Sequence, residues 1–186
     1  MSFNPRRLRS ANELRALSHP LRLDILEQLT LHGAMTASDL GDILDETPAN
    51  CSWHLRKLAE HGFVEETERD GRRRPWRVTR VGLSWDHDED VSASPGYQAA
   101  SRALTAQFID REVVRWGRNT EAAERNWAHL GASETVALLT EEEAVAFSAE
   151  LKELLMRHHG RLTGEEPVPD GARAIRVLAM TSVDPQ

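Results

Sequence analysis

The sequence has little cysteine and no long apolar run, and each shortage excludes a class of protein. Cys51 is the one cysteine among 186 residues, so no disulfide can form within the chain, as expected in a reducing cytoplasm. No apolar run approaches the roughly 18 residues of a membrane span. The first ten residues lack the apolar stretch of a secretory signal. We therefore expect a cytoplasmic protein without a membrane partner.

The motifs of common enzymes and metal sites are missing as well. There is no glycine-rich phosphate loop, no Cys-x-x-Cys, no His-Glu-x-x-His and no Gly-x-Ser-x-Gly. His158 and His159 are adjacent, and neighbours on a helix point about 100° apart, so they rarely share an ion. The acidic run at 86–90 is typical of a solvated linker rather than a metal loop. We expect no enzyme, no cofactor and no metal site.

Charge is unevenly distributed along the chain. The net charge is −7, but residues 1–80 hold 13 Lys+Arg against 12 Asp+Glu, whereas residues 81–186 hold 10 against 18. Within residues 69–80, six arginines stand against one acid, Asp70. Local fields decide docking on phosphates more than the total does. The net charge therefore does not exclude a nucleic-acid partner.

Residues 36–64 carry the pattern of two short helices joined by a tight turn. Thr36 is placed to cap the first helix, with Asp39 three residues later as an acidic variant of the capping box. The apolar residues of this helix share one face: Leu40, Ile43 and Leu44. The turn follows at 45–46, and Thr47 is placed to cap a second helix with Pro48 at its first position.

The second helix has two distinct faces. Its buried stripe lies at i, i+4 and i+7: Cys51, Leu55 and Leu58. The opposite face carries small residues, hydrogen-bonding groups and cations: Ala49, Asn50, Ser52, Trp53, Arg56 and Lys57. A face of this composition suits a recognition helix in a DNA major groove.

A helical floor and a basic hairpin flank these two helices. Ser10 is placed to cap a first helix, and Pro20 is placed to begin a second helix. The leucines of these two helices face the two helices of residues 36–64 and form an apolar floor beneath them. Strands are expected at 64–68 and 74–79, on either side of Asp70-Gly71, which is a strong type I′ turn signal. The arginines at or after the tip are placed to meet DNA backbone or a narrow minor groove: Arg72, Arg73 and Arg74. Residues 4–9 are expected to form a flexible, solvated arm, with contact of its arginines to DNA backbone or to a partner subunit as the alternative.

Residues 14–83 resemble the winged helix-turn-helix of ArsR-like bacterial regulators. The resemblance rests on residues 16–26 (ALSHPLRLDIL), 47–58 (TPANCSWHLRKL), 61–64 (HGFV) and 78–83 (VTRVGL). It implies a dimeric, operator-binding transcriptional regulator, often a repressor. Metal-sensing proteins that resemble this fold carry Cys-x-Cys on the first helix of the motif, which here is ASDLGDIL. Cys51 lies instead on a buried stripe, where it fits a small core residue.

After a linker at 84–97, residues 98–130 are helical in pattern. Residues spaced alternately by three and four form what we call the heptad-like seam: Ala106, Ile109, Val113, Trp116, Thr120, Ala123, Trp127 and Leu130. The same helix of a second subunit is expected to cover it, with packing on the chain's own winged helix as the alternative. The expected dimer contacts are Ile109, Val113, Trp116, Ala123 and Trp127. Gly117 and Asn119 weaken this pattern and favour a bend or a break near them.

The last part of the chain has a strand–helix–strand pattern. Residues 134–139 (ETVALL) and 172–180 (ARAIRVLAM) are typical of paired strands. Thr140 is placed to cap a helix that runs to Met156 and packs across them, with three glutamates in its first turn. A loop is expected at 160–171.

The predicted fold is mainly α with small β (α+β). It comprises a winged helix-turn-helix DNA-binding domain (10–83), the linker, and a domain at 98–183 with a long dimerisation helix and a small α+β module. The candidate DNA-binding residues are Thr47, Ala49, Asn50, Ser52, Trp53, His54, Arg56, Lys57, Arg72, Arg73 and Arg74. His54 borders the buried stripe, so a structural hydrogen bond is its alternative role.

The partners expected are double-stranded operator DNA and a second copy of the chain. Two other functions stay open at this stage. One is a regulator that responds to a small apolar effector near Trp116 and Trp127. The other is a winged helix used for protein–protein contact, which an exposed Trp53 on the recognition helix favours.

Overall fold

The computed structural model describes residues 5–68, 71, 73–85, 94–121, 135–175, 177 and 179–181. These residues form seven helices: α1 (Ala11–Leu17), α2 (Pro20–His32), α3 (Ala37–Leu44), α4 (Pro48–Glu60), α5 (Pro95–Glu121), α6 (Glu141–Met156) and α7 (Gly160–Thr163). They also form four short strands: β1 (Arg6–Arg7), β2 (Val64–Glu66), β3 (Trp76–Val78) and β4 (Leu83–Ser84). The mainly helical fold with a small sheet component is confirmed. The chain divides into two compact units, residues 1–111 and 112–186.

Side-chain caps fix the starts of the first two helices. The Ser10 hydroxyl accepts a hydrogen bond from the Glu13 backbone N–H at 3.2 Å, as the sequence predicts for α1. α2 begins with Pro20 at its first turn, and His19 Nδ1 accepts from the Leu21 N–H at 3.2 Å. α2 ends at His32 because Gly33 takes a positive φ of 77°, which glycine adopts without strain.

The helix-turn-helix is α3 and α4. The predicted capping box is present: Thr36 accepts from the Asp39 N–H, and the Asp39 carboxylate accepts from the Thr36 N–H at 2.9 Å. A Cβ on Gly41 would lie 2.7 Å from the Glu46 carbonyl oxygen, so only glycine allows the turn to fold back this closely. Thr47 then caps α4, accepting from the Asn50 N–H at 3.2 Å.

One apolar core joins these helices. The largest fully buried side chains are Leu14, Leu17, Ile25, Leu29, Leu40, Cys51, Leu55, Leu58 and Leu104. The stripe of α4 is therefore buried as predicted. Ile43 is the exception on α3, because its side chain is 50% exposed rather than part of the apolar face.

The start of α5 belongs to this core, which the heptad-like seam did not predict. Tyr97, Ala100 and Leu104 are buried within it, and Phe108 packs against it. The Tyr97 hydroxyl donates to the Leu8 carbonyl oxygen at 2.9 Å, and Arg111 pairs with Asp24 at 2.6 Å. The linker predicted at 84–97 therefore begins in β4 and ends in α5, while residues 86–93 lie outside the described part of the chain.

The hairpin is antiparallel but shorter than predicted. Val64 pairs with Val78 and Glu66 with Trp76 in the register of β2 and β3. Met35 adds a bridge on the other edge of β3, where the Trp76 N–H donates to the Met35 carbonyl at 2.7 Å. Asp70 lies outside the described residues, so the predicted type I′ turn stays a prediction.

The prediction of a flexible arm is wrong for residues 5–9. β1 pairs in parallel with β4, in the register Arg6 with Leu83 and Arg7 with Ser84. Leu8 is 2% exposed, so the segment is held by an apolar anchor as well as by backbone hydrogen bonds. A segment with its amides paired and a leucine buried is not solvated.

α5 runs through Gly117 and Asn119 as one helix, so the break that these two residues favour is not observed. Intrahelical hydrogen bonds tolerate a single glycine at a cost of about 1 kcal/mol. On the heptad-like seam, Val113 is 59% exposed and Trp116 is 52% exposed. Residues 122–134 lie outside the described part of the chain, and they include the seam residues Ala123, Trp127 and Leu130.

The second unit has its predicted helix but lacks its predicted strands. α6 starts with a complete capping box between Thr140 and Glu143 and ends at Met156. Residues 135–139 and the described residues of 172–180 have no regular structure, and Leu138 is 99% exposed. A short apolar segment forms a stable strand only where a sheet and a core cover it, and the described residues of the second unit form neither beside these two segments. The predicted loop at 160–171 begins instead with the short helix α7. No helix among the described residues is both long and apolar enough to cross a bilayer.

Candidate nucleic-acid interface

The packing of α4 decides which of its side chains face solvent. Cys51, Leu55 and Leu58 are 0% exposed, and α4 packs against α3, α2 and α1. Burial of these three residues fixes the rotation of the helix about its own axis. The face opposite them is therefore presented to solvent as a unit.

The exposed face carries most of the predicted DNA-binding side chains. Thr47, Ala49, Trp53 and Arg56 are exposed, and Asn50, Ser52 and Lys57 are partly buried. The polar groups are already paired with neighbours: Asn50 Nδ2 donates to Glu46 at 2.8 Å, Arg56 to the Ser52 hydroxyl at 3.2 Å, and Lys57 pairs with Glu60 at 2.9 Å. Exposed pairs of this kind contribute at most about 1 kcal/mol each, so exchange for a DNA partner costs little.

Trp53 stands at the middle of this face and is 48% exposed. Its ring meets the His54 ring edge to face, with centroids 4.7 Å apart and planes at 90°. Lys57 Nζ lies 5.9 Å from the Trp53 ring centroid, within the range of a cation–π contact. The indole is thus in contact with the His54 ring and near the Lys57 ammonium, and about half of its surface is exposed to solvent.

His54 lies on the inner side of α4, away from this face. It is 3% exposed, and its ring centroid lies 4.4 Å from that of His19. Burial lowers the pKa of His54 below its ordinary value, and the charges of His19 and Arg22 lower it further. The Nδ1 atom of His54 is buried without a hydrogen-bond partner in the described residues, so the structural hydrogen bond considered as its alternative role is not observed at this atom. A ring that is 3% exposed also offers little surface to DNA.

Cys51 is unsuited to metal binding in this position. Its thiol is fully buried, and burial, helped by the Glu46 charge, raises the pKa of the Cys51 thiol above its ordinary value. Metals bind the thiolate, so a raised pKa disfavours ligation. Within the described residues, no group of three or more His, Cys, Asp or Glu side chains is arranged to hold an ion.

The wing arginines differ from one another. Arg73 donates to both carboxylate oxygens of Asp39, at 3.1 and 3.0 Å, which ties the hairpin to the start of α3. Hydrogen bonds from the Thr36 backbone and hydroxyl, with the Arg73 charge, hold the pKa of Asp39 below its ordinary value. Arg74 is exposed, and Arg72 lies outside the described residues.

Sequence reasoning missed how residues at the base of the wing are held. The Arg6 guanidinium donates to the His61 and Gly62 carbonyls at the end of α4, pairs with Glu13 at 3.0 Å, and lies 4.0 Å over the Phe63 ring. The carbonyls that end a helix need donors, and a nearby arginine supplies them. The sequence signal for this contact was present only as three arginines in the first nine residues.

The predicted dimer residues are described only in part. Ile109 is partly buried, and Val113 and Trp116 are exposed. The core-facing residues of α5, such as Leu104, lie on a different stripe of the helix from these three. Val113 and Trp116 are thus more than half exposed while the start of α5 packs on its own unit.

A comparison with protein families identifies the domain type of residues 17–67. Residues 17–67 match the model of a family described as a helix-turn-helix domain. This match spans α2, α3, the turn after α3, α4 and β2. No curated protein matches the chain.

Several solved structures are similar in part. One is the homodimeric winged helix-turn-helix DNA-binding domain of Mb0332 from Mycobacterium bovis, which is described as a possible ArsR-family transcriptional regulator. It is 21% identical to this chain, and the match covers 68% of this chain and 86% of that one with a TM-score of 0.37. A transcriptional regulator homologue from Pyrococcus horikoshii OT3 is 22% identical over 54% of this chain and 88% of that one, with a TM-score of 0.33. A structure described as a possible transcriptional regulator for arsenical resistance is 28% identical over 56% of this chain and 95% of that one, with a TM-score of 0.34.

Proposed function

We propose that the chain, whose residues 17–67 form a helix-turn-helix domain, is a sequence-specific DNA-binding transcriptional regulator that acts as a homodimeric repressor. The observation that carries the proposal is the exposed face of α4, which the buried stripe of the same helix holds toward solvent. A basic hairpin follows α4 directly in the chain, as a wing does. Both features belong to the first unit.

In the proposed complex, α4 enters the major groove. Asn50 and Arg56 are placed for base edges, because amides bind adenine and guanidinium groups bind guanine in bidentate geometry. Ser52 and Trp53 lie between them, and the indole suits a thymine methyl group. Small or short residues at the start of the helix allow close approach to the backbone: Thr47 and Ala49.

The remaining cations hold the backbone rather than the bases. Lys57 is a phosphate contact, since its ammonium is a point charge without bidentate geometry. Arg73 and Arg74 extend the contact along the wing, and Arg72, which precedes them in the chain, is proposed as a third backbone contact. Phosphate contacts set register and orientation, and base contacts supply the sequence preference.

In the proposed dimer, the heptad-like seam of α5 forms the contact between the two subunits. Val113 and Trp116 are more than half exposed, and two such side chains on one helix face are covered when the same helix of a second subunit packs against them. A dimer would place two α4 helices on half-sites about 34–36 Å apart, one helical turn of DNA. Repression would then follow from occupancy of the operator.

Paired variants test the role of α4. Asn50→Ala and Arg56→Ala are expected to weaken binding to a selected site by about 1–3 kcal/mol each and to relax the preference at one base pair. Arg102→Ala is the matched control, because Arg102 is an exposed arginine on α5 outside the proposed interface. Equal binding by all three variants would contradict the assignment of α4.

A Trp53→Ala variant tests whether the exposed face of α4 binds DNA or a protein partner. If the face binds DNA, Trp53→Ala weakens binding to the selected site and leaves the salt dependence unchanged, since the indole carries no charge. If genomic DNA fragments are not bound at low salt, the exposed indole instead favours the protein–protein alternative.

A further inference from the structure

The described residues form a cavity of about 520 Å³ at the base of the wing. We call it the arginine cavity, because four of the residues that line it are Arg6, Arg7, Arg9 and Arg80. Gly62 and Thr79 complete the part of the wall nearest the end of α4. Its volume lies within the range of about 300–1,000 Å³ that is common for small-molecule sites.

The wall is built by long-range pairing. The Arg6 N–H donates to the Gly82 carbonyl at 3.0 Å and the Leu8 N–H to the Ser84 carbonyl at 2.9 Å, so β1 is fixed beside β4. Buried Leu8 anchors the far end of the strand. Arg7 and Arg80 are thereby brought to the same cavity from segments that are more than seventy positions apart in the chain.

The charges of the lining are of one sign. Among the described residues, no carboxylate side chain lines the arginine cavity. Glu13 lies behind it and pairs with Arg6; burial acts to raise the pKa of Glu13, but hydrogen bonds from the Arg9 backbone and from Arg6 hold it below its ordinary value. Within the described residues, neither Arg7 nor Arg80 makes an ion pair.

A cavity lined this way favours one class of ligand. Several guanidinium groups around one space repel one another unless an anion occupies it. Guanidinium groups bind phosphate through paired, charge-assisted hydrogen bonds. An apolar ligand would make no use of the Arg7 and Arg80 guanidinium donors, and covering donors that have no other partner costs free energy.

We propose that the arginine cavity binds a phosphate group. Two sources have this chemistry: a phosphate of the DNA backbone that flanks the site of α4, and a small phosphate ester that acts as an effector. The first source rests on the proposed function, and the second does not. Arg7 and Arg80 are the binding residues, and Arg6 is the positioning residue that fixes the cavity on the end of α4.

The test begins with pyrophosphate as the probe and the full chain. Pyrophosphate titrated at low salt, followed by calorimetry and by amide NMR shifts, is expected to bind and to shift Gly62 and Thr79. The double variant Arg7→Gln/Arg80→Gln is expected to bind at least tenfold more weakly. Arg15→Gln/Arg102→Gln is the matched control, because it removes two exposed arginines that do not line the cavity. Thermal melting followed by circular dichroism checks that both variants stay folded.

The second arm identifies the source of the phosphate. If the DNA backbone supplies it, the cavity variant lowers the slope of log affinity against log salt by up to about 1.8, since each contact contributes about 0.9. If a small phosphate ester supplies it, the cavity variant loses pyrophosphate binding, but the slope of its log DNA affinity against log salt equals that of the control variant. The proposal is overturned if the cavity variant matches the control in both arms. Failure of the wild-type chain to bind DNA would refute the proposed function alone, because the pyrophosphate arm does not depend on it.

Discussion

The wing gives a prediction whose size follows from charge alone. Changing Arg72, Arg73 and Arg74 together to Ala removes three cations from the hairpin. Each arginine that neutralises one phosphate adds about 0.9 to the slope of log affinity against log salt. The triple variant should therefore flatten that slope by up to about 2.7.

The structure adds one correction to this magnitude. Arg73 is paired with Asp39 at 3.0 Å in the free protein, and the side chains of the pair are 59% and 36% exposed. An exposed pair contributes at most about 1 kcal/mol, so Arg73 can exchange Asp39 for a phosphate. Its counterion release is reduced by the fraction of its charge that Asp39 already neutralises. We therefore expect Arg74→Ala alone to change the slope more than Arg73→Ala alone.

The assay is fluorescence anisotropy on a labelled operator fragment at salt concentrations from about 50 to about 200 mM, a range over which one contact changes affinity about three- to fourfold. Arg102→Ala is the control, because it removes an exposed arginine from the same unit. A triple variant that keeps the wild-type slope and affinity would refute the assignment of the hairpin as a DNA-contacting wing.

Three further predictions concern stability. Leu55→Ala should lower the free energy of unfolding by about 2–5 kcal/mol in urea titrations, because Leu55 is 0% exposed in the core; a loss below 1 kcal/mol would contradict its place there. Thr47→Ala should cost about 1 kcal/mol through loss of the α4 cap, and Thr47→Ser, which keeps the hydroxyl, should restore most of it. His54 is buried and its pKa is lowered, so its contribution to stability is present above its unfolded pKa of about 6.5 and is lost as pH falls through the lower folded pKa. Wild-type protein should lose more stability than His54→Gln between pH 7 and pH 5, and equal losses would show that His54 is not held neutral by burial.

Local signals in the sequence predicted local structure well. Ser10, Thr36, Thr47 and Thr140 all cap the helices expected of them, because a cap depends on residues within four positions of each other. The buried stripe of α4 was predicted for a similar reason, since one helix period determines it. The candidate recognition face follows directly from that stripe.

Long-range structure was not predictable in the same way. The pairing of β1 with β4 joins segments far apart in the chain, so residues 5–9 looked like a free arm. The two C-terminal strands were expected from short apolar segments alone, but such a segment without a covering layer does not form a stable strand. On α5, the heptad-like seam masked a second stripe through Tyr97 and Leu104 that packs on the winged helix. The arginine cavity depends on the first of these pairings and was therefore invisible in the sequence.

Selection of genomic fragments by the purified chain, followed by footprinting of the bound sites, tests the central claim most directly. We expect recovery of a shared sequence made of two related half-sites, with protected major grooves about 34–36 Å apart, one helical turn. Arg56→Ala should lose the preference at one position in each half-site, while the spacing stays the same. Recovery of no shared sequence, or of one whose protection does not change with Arg56→Ala, would contradict the account of α4 as a recognition helix.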